Sequence, residues 1–330
     1  MPSPKRHHFV PRAYQARFAF ADQVRVRRRK SPVPYVTNPI NVAVQGSFYT
    51  TTSPDGSTST FVEERLADLD SAGVQVMREI DRTGRPPEVG SEDREVMCLY
   101  LAAQMTRTPR KRTAVLFPQA VKAYADGRPL GRALVAEYLE REHLGFAPQA
   151  AEVEGAWSYL HATIAMHGVP TQNDAISATL EPVTQYIPHF RARHWRLEIS
   201  RKPYFLTSDA PLVLWKPPSL EDNYRGFGLL DALEVRFPLD PCQQLVLTPG
   251  TGTSVEEVKL SRVSECNADL ADACEQVIIG HPRRHVWQDK VELRDRGPVL
   301  RFNQAPGIHA APDGSSEPMG DIIHLWTTRR

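Results

Sequence analysis

The chain has 330 residues, 41% hydrophobic and 24% charged, with 40 Lys+Arg against 39 Asp+Glu. That composition excludes wholesale disorder, and a formal net charge of +1 excludes a chain that holds polyanions by bulk charge alone. The length predicts two regions, 1–190 mainly helical with a basic N-terminal arm and 191–330 rich in strands, separate or fused as one composite domain.

The near-neutral total conceals two basic segments. Residues 1–30 hold nine basic side chains against Asp22 alone, and residues 103–132 hold seven against Asp126. The charged N-terminus lacks the apolar stretch of a signal peptide, and no run reaches the roughly 20 apolar residues that cross a bilayer. Cys98, Cys242, Cys266 and Cys274 form no CxxC pair. The expectation is a cytoplasmic protein with reduced thiols and no membrane contact.

In chain order, Pro11 opens a short helix to Ala19, since proline suits the first helical turn. Val24 and Val26 alternate with Arg25 and Arg27, the pattern of a half-buried strand. Residues 31–60 read as loop with short strands and a turn at Ser53-Pro54-Asp55-Gly56. Val62, Leu66, Leu69, Gly73, Val76 and Ile80 then form one apolar stripe of a long helix that Gly84 ends. A second helix starts at Ser91, with Glu92 and Asp93 in its first turn, and runs to Thr108. Further helices are predicted near 110–125, 130–143, 149–167 and 172–187, with Pro118 and Pro182 bending or breaking two of them.

Strand signals dominate after that: 194–199, 204–206, 212–215, 233–237, 245–247 and 277–279, with one helix at 261–275 and a Pro/Gly-rich surface segment from 288. The fold class expected is α+β, with a helical N-terminal and central half packed on a mixed or antiparallel sheet of the C-terminal half.

Four separated patches carry a family resemblance. They are His7-His8-Phe9-Val10-Pro11-Arg12-Ala13-Tyr14 with Phe18; Phe48-Tyr49-Thr50 with Glu63-Glu64-Arg65-Leu66; Tyr100 through Pro109; and Phe205 through Pro211 with Phe237-Pro238-Leu239. In order and type these resemble the family catalogued as domain of unknown function 4238, over about residues 5–280. The chain departs from that pattern in carrying Gln15 after Tyr14, and Asp70 where a glutamate is usual. The resemblance implies no activity. It implies that these polar residues form one constellation.

Each candidate has a functional and a structural reading. His8 is a proton-transfer group or metal ligand, or part of an exposed basic start. Glu63 either acts in chemistry or compensates a helix dipole. Asp70, two turns on, shares its face, so the two acids could hold a divalent cation. Tyr100, Gln104 and Arg107 share one face of their helix, and Arg107 either clamps an anion or makes an internal salt bridge to Asp209 or Glu63. Asp209 ends a buried run, as a catalytic acid or a turn cap. Glu234-Val235-Arg236 with Asp209 is a weak match to a metal-dependent nuclease core, since Arg is a poor general base. Asn267 binds a ligand or is merely exposed.

No Walker A loop, GxGxxG, HExxH or GxSxG occurs, which counts against P-loop ATPases, nicotinamide dehydrogenases, zincins and α/β-hydrolases. The expectation is a hydrolase-like enzyme acting on a phosphate-containing or other anionic substrate, nucleic acid included. In it His8, Glu63 and Asp209 are catalytic. Tyr100, Gln104, Arg107 and Asn267 bind substrate, and Glu63 and Asp209 hold Mg2+. The alternative is a non-catalytic protein that binds nucleic acid or an acidic partner through the two basic segments. A third reading is a buried polar network with no ligand.

Overall fold

The structure is a computed structural model. It describes residues 6–29, 31–217, 219 and 228–293, and the segments 300–302, 308–310, 316–318 and 323–325. Among the described residues no helix is long and apolar enough to cross a membrane.

The chain begins with β1 (Arg6–His8), α1 (Arg12–Gln15) and a 3-10 turn at Ala16–Phe18. The helix expected from Pro11 is thus a single turn that tightens into a 3-10 end, with no side-chain cap. Five short strands follow: β2 (Val24–Arg28), β3 (Ser31–Thr37), β4 (Val44–Gly46), β5 (Thr51–Thr52) and β6 (Thr58–Ser59).

The long helix is α2 (Phe61–Thr83). It buries Leu66, Gly73, Val76 and Ile80 of the expected stripe, together with Val74 and Met77. Gly84 ends it at φ 64°, a left-handed conformation that favours glycine. In α3 (Glu92–Thr106) the Ser91 hydroxyl accepts from the Arg94 N–H at 3.2 Å and caps the first turn. Met97, Cys98, Tyr100, Leu101, Ala102 and Ala103 are all buried, so α3 is a central helix enclosed on most sides. Burial of each large apolar side chain there is worth about 1.5–3 kcal/mol.

Next come α4 (Pro109–Ala125), α5 (Arg132–Tyr138), a π turn at Leu139–Leu144, α6 (Ala150–His167), α7 (Gln172–Leu180) and α8 (Val183–Arg191). Pro182 separates α7 from α8 as expected, whereas α4 continues through Pro118. Proline at that position frees the carbonyl four residues back, and the Tyr159 hydroxyl donates to that carbonyl, Ala114 O, at 3.2 Å. A side chain from α6 thus replaces the lost backbone donor.

The strand-rich part comprises β7 (His194–Ile199), β8 (Thr207–Ser208), β9 (Val213–Trp215), β10 (Glu234–Asp240), β11 (Gln243–Thr248) and β12 (Thr253–Glu257). It closes with α9 (Leu260–Ala273), β13 (Val277–Gly280) and α10 (Val286–Lys290). The apolar run 204–206 lies just before β8 rather than in it. A five-stranded sheet runs β12-β7-β11-β10-β9, antiparallel except for the parallel β12–β7 pair. A four-stranded antiparallel sheet runs β3-β2-β13-β8. The chain is α+β, as expected.

The second sheet takes strands from both sides of the expected boundary at 190, since β2 pairs with β13. The main core likewise mixes Phe9, Tyr14 and Phe18 with Tyr100, Trp195, Phe237 and Ile279. A second core, including Phe117, Val121, Leu134, Tyr138 and Leu160, belongs to α4, α5, α6 and the π turn. Most of the segment from 294 onward lies outside the described residues.

Candidate functional site

The site is built around the turn Ser47-Phe48-Tyr49, which three elements grip. From β1, the buried His7 ring accepts the Tyr49 N–H on Nδ1 at 2.8 Å. From α4, Arg112 donates to Phe48 O at 2.5 Å, stacks over the Phe48 ring at 4.5 Å and also donates to Gln172. From α7, Gln172 donates to Ser47 O at 2.8 Å.

A backbone N–H can only donate, so Nδ1 of His7 must be the acceptor and the ring proton sits on Nε2. Nε2 lies 2.9 Å from Glu63 Oε2, and the Glu63 side chain is 33% exposed while His7 is fully enclosed. Successive residues of a strand point to opposite faces. His7, not the expected His8, therefore reaches α2. His8 is half-buried against the Pro39–Ile40 backbone, and burial, offset by those contacts, lowers its affinity for a proton.

Two turns along α2, Asp70 takes Arg107 in a two-pronged salt bridge, one arm at 3.2 Å. The internal pairing foreseen for Arg107 is formed, with Asp70 in place of Asp209 or Glu63. With its amide oxygen turned to the guanidinium, Gln104 accepts from Arg107 Nε at 3.2 Å. Burial opposes the Arg107 charge, but the Asp70 carboxylate outweighs it and holds the guanidinium protonated more firmly than usual. Burial raises the phenol pKa of both Tyr49 and Tyr100. Tyr100 packs edge-on against Phe237, which stacks on Tyr14. Tyr14 donates to Pro238 O and accepts from Thr207, each at 2.7 Å. All four sequence patches thus meet.

Asp209 and Asn267 do not join this constellation. Asp209 is buried at the end of β8, and its carboxylate accepts the N–H groups of Glu275 (2.9 Å), Gln276 (2.7 Å) and Val277 (3.2 Å). Asn267 accepts from Leu206 N–H at 3.0 Å and donates to Tyr204 O at 2.8 Å, tying α9 to the entry of β8. Backbone amides reach both Asp209 oxygens, Glu63 faces His7, and no group of three or more metal-binding side chains occurs among the described residues.

Glu234 and Arg236 belong to a separate network. Arg236 pairs with Glu234 at 2.6 Å, Asp269 at 2.5 Å and Glu265 at 3.1 Å, while Arg262 joins Glu234 to the buried Glu198. This explains an Arg where a nuclease would need Lys: it is an ion-pair centre between the sheet and α9.

The basic segments are largely consumed internally. Arg17 donates to Leu239 O at 2.7 Å and pairs with Asp81. Arg25 reaches Gln288 and Asp289, Arg27 the carbonyls of Gln288 and Val291, and Arg29 those of Ala271 and Cys274. In the second segment Arg107, Arg112, Arg128 and Arg132 all have protein partners. Lys111 is half-buried, and burial alone lowers its pKa.

Sequence reasoning missed His7, Arg112 and Gln172. Strand alternation was the signal for His7. Arg112 and Gln172 act by closing on a turn more than 60 residues away in sequence, for which no local pattern exists.

No curated protein and no solved structure matches the chain. A family model described as "Protein of unknown function (DUF4238)" matches residues 6–284.

Proposed function

The chain belongs to that family, DUF4238, and we propose that it is a hydrolase-like enzyme in which Glu63 moves a proton on a phosphate-containing or other anionic substrate. The observation that carries this reading is the Glu63–His7 pair at 2.9 Å, with a buried imidazole of fixed tautomer behind a carboxylate one-third open to solvent. A carboxylate set 2.9 Å from an enclosed imidazole nitrogen and open on its other side is placed to exchange a proton with a substrate. Glu63 is the catalytic residue and His7 the positioning residue. Arg112, half-buried beside the same turn, supplies a positive charge that favours an anionic substrate. The four cysteines are free, which supports a reducing compartment, the cytoplasm.

The test is a panel of phosphomonoesters and phosphodiesters, with folding followed by circular dichroism. Glu63→Gln should lower kcat by about 10²–10⁴-fold while the protein stays folded. His7→Gln should lower kcat less and shift its pH profile. The reading is overturned if the wild type turns over none of the panel, or if Glu63→Gln matches it throughout.

The alternative, nucleic-acid binding through the basic segments, has less support, because their arginines already serve carbonyls and carboxylates of the fold.

A further inference from the structure

Beneath the corner where α3 passes into α4 lie two carboxyl groups to which no basic side chain hydrogen-bonds among the described residues. Asp209 is 2% exposed and Glu275 4%. Their roles differ. Asp209 receives three backbone N–H groups, a full set of donors for an anion. Glu275 receives one, the Arg110 N–H at 2.9 Å on Oε2, in the first turn of α4, and its Oε1 has no hydrogen-bond partner among the described residues. The Glu275 main-chain N–H donates to Asp209 Oδ1, which places the two residues side by side.

The surroundings supply little compensation. Arg29 acts on Asp209 through space while its own donors serve the carbonyls at the end of α9. The Arg110 guanidinium acts on Glu275 only through space. Cys274, buried beside both acids, stays a neutral thiol. Two adjacent charges in so dry a place repel strongly. Asp209 has the amides, so of the two groups Glu275 is the one that keeps a proton. Burial and the Asp209 charge both raise the Glu275 pKa.

We propose that Glu275 is a proton-operated latch on the α3–α4 corner: protonated, it lies against Asp209 and holds the Arg110 N–H, and on losing its proton it leaves that position and loosens the corner. Arg107, the residue after α3, and Arg112, in the first turns of α4, both belong to the constellation around Tyr49. The latch thus regulates the site on which the proposed function rests, although its test uses no activity.

The sign follows from linkage. A carboxyl whose folded pKa is raised keeps its proton in the closed corner and loses it in the open one. Its contribution is complete below the ordinary glutamate pKa and disappears as pH rises through the raised value. Opening should therefore become about tenfold more favourable per pH unit between those limits.

The experiment is hydrogen–deuterium exchange of the full chain across about pH 5 to 8, corrected for the chemical exchange rate, with residues 107–112 followed against β7 and β11. The expected result is a rising opening constant at the corner alone, which Glu275→Gln flattens at the protected level, since the amide still accepts from Arg110 N–H and cannot ionise. Infrared spectroscopy supplies the second readout, a protonated-carboxyl band that Glu275→Gln removes. A corner whose opening follows the rest of the fold, a pH dependence that survives in Glu275→Gln, or the lack of that band overturns the latch. Loss of hydrolytic activity with the latch intact would instead count against Glu63.

Discussion

A Cβ atom placed on Gly73 of α2 would lie 2.3 Å from the Tyr100 ring of α3, and three ring atoms would fall within 2.9 Å. The two helices approach so closely only because position 73 has no side chain. Gly73→Ala would gain about 1 kcal/mol of helix propensity, but the buried ring has no space to yield, with Phe237 against it. Overpacking typically costs 1–3 kcal/mol and more where the neighbour is fixed. The substitution should therefore destabilise the protein, seen as a lower urea midpoint, and Tyr100→Leu in the same chain should restore part of the loss.

That contact also shows what was legible in the sequence. Gly73 occupies a place in the apolar stripe of α2, so its burial follows from the period of the helix. The same period groups Tyr100, Gln104 and Arg107 on α3. What periodicity cannot give is the partner across the gap. Arg107 could have met any of several acids, and its choice of Asp70 depends on how α2 and α3 are aligned. Asp209 illustrates the same limit. A carboxylate at the end of a buried strand resembles a catalytic acid, but its partners are the amides of residues 275–277, brought in by a strand 68 residues later. Glu275 carries no local signal, because its interest arises only from that neighbour.

The Arg107–Asp70 pair should be far more important to stability than the exposed ion pairs. Arg107 is 1% exposed at its side chain and Asp70 17%. Removing one partner of such a pair leaves a charge in a dry place, at a cost of about 3–5 kcal/mol. Asp70→Ala should accordingly lower the urea midpoint strongly, while Arg107→Met with Asp70→Leu should recover much of it. By contrast Glu154, on the surface with Arg132, should be replaceable by alanine without measurable loss.

The arginines of the N-terminal segment should behave as structural clamps. Arg27 donates to Gln288 O at 2.8 Å and to Val291 O at 2.7 Å. Arg27→Ala strands two carbonyls and should cost about 1–3 kcal/mol. A nucleic-acid contact would instead reduce affinity and flatten its salt dependence by about one charge. Fluorescence anisotropy with a duplex over a salt series, run beside thermal unfolding, distinguishes the two. The expected outcome is a lower Tm with unchanged nucleic-acid binding.

Acid sensitivity should have an identifiable source in the second core. His143, in the π turn, packs with its ring 5.2 Å from Tyr138 and 6.4 Å from Phe117, and its Nε2 has no hydrogen-bond partner among the described residues. Burial pushes its pKa down to about 4. The folded protein therefore keeps this imidazole neutral while the unfolded chain protonates it near the ordinary value of about 6.5. Between those two values the unfolded state binds more protons, so stability is complete above the higher and falls as pH drops toward the lower. The shift sets an upper bound of about 3 kcal/mol on the loss. His143→Phe fills the same aromatic setting without a titrating group. Urea unfolding at about pH 7 and about pH 4.5 should show the variant losing less stability than the wild type. An equal loss in both would place the acid sensitivity elsewhere.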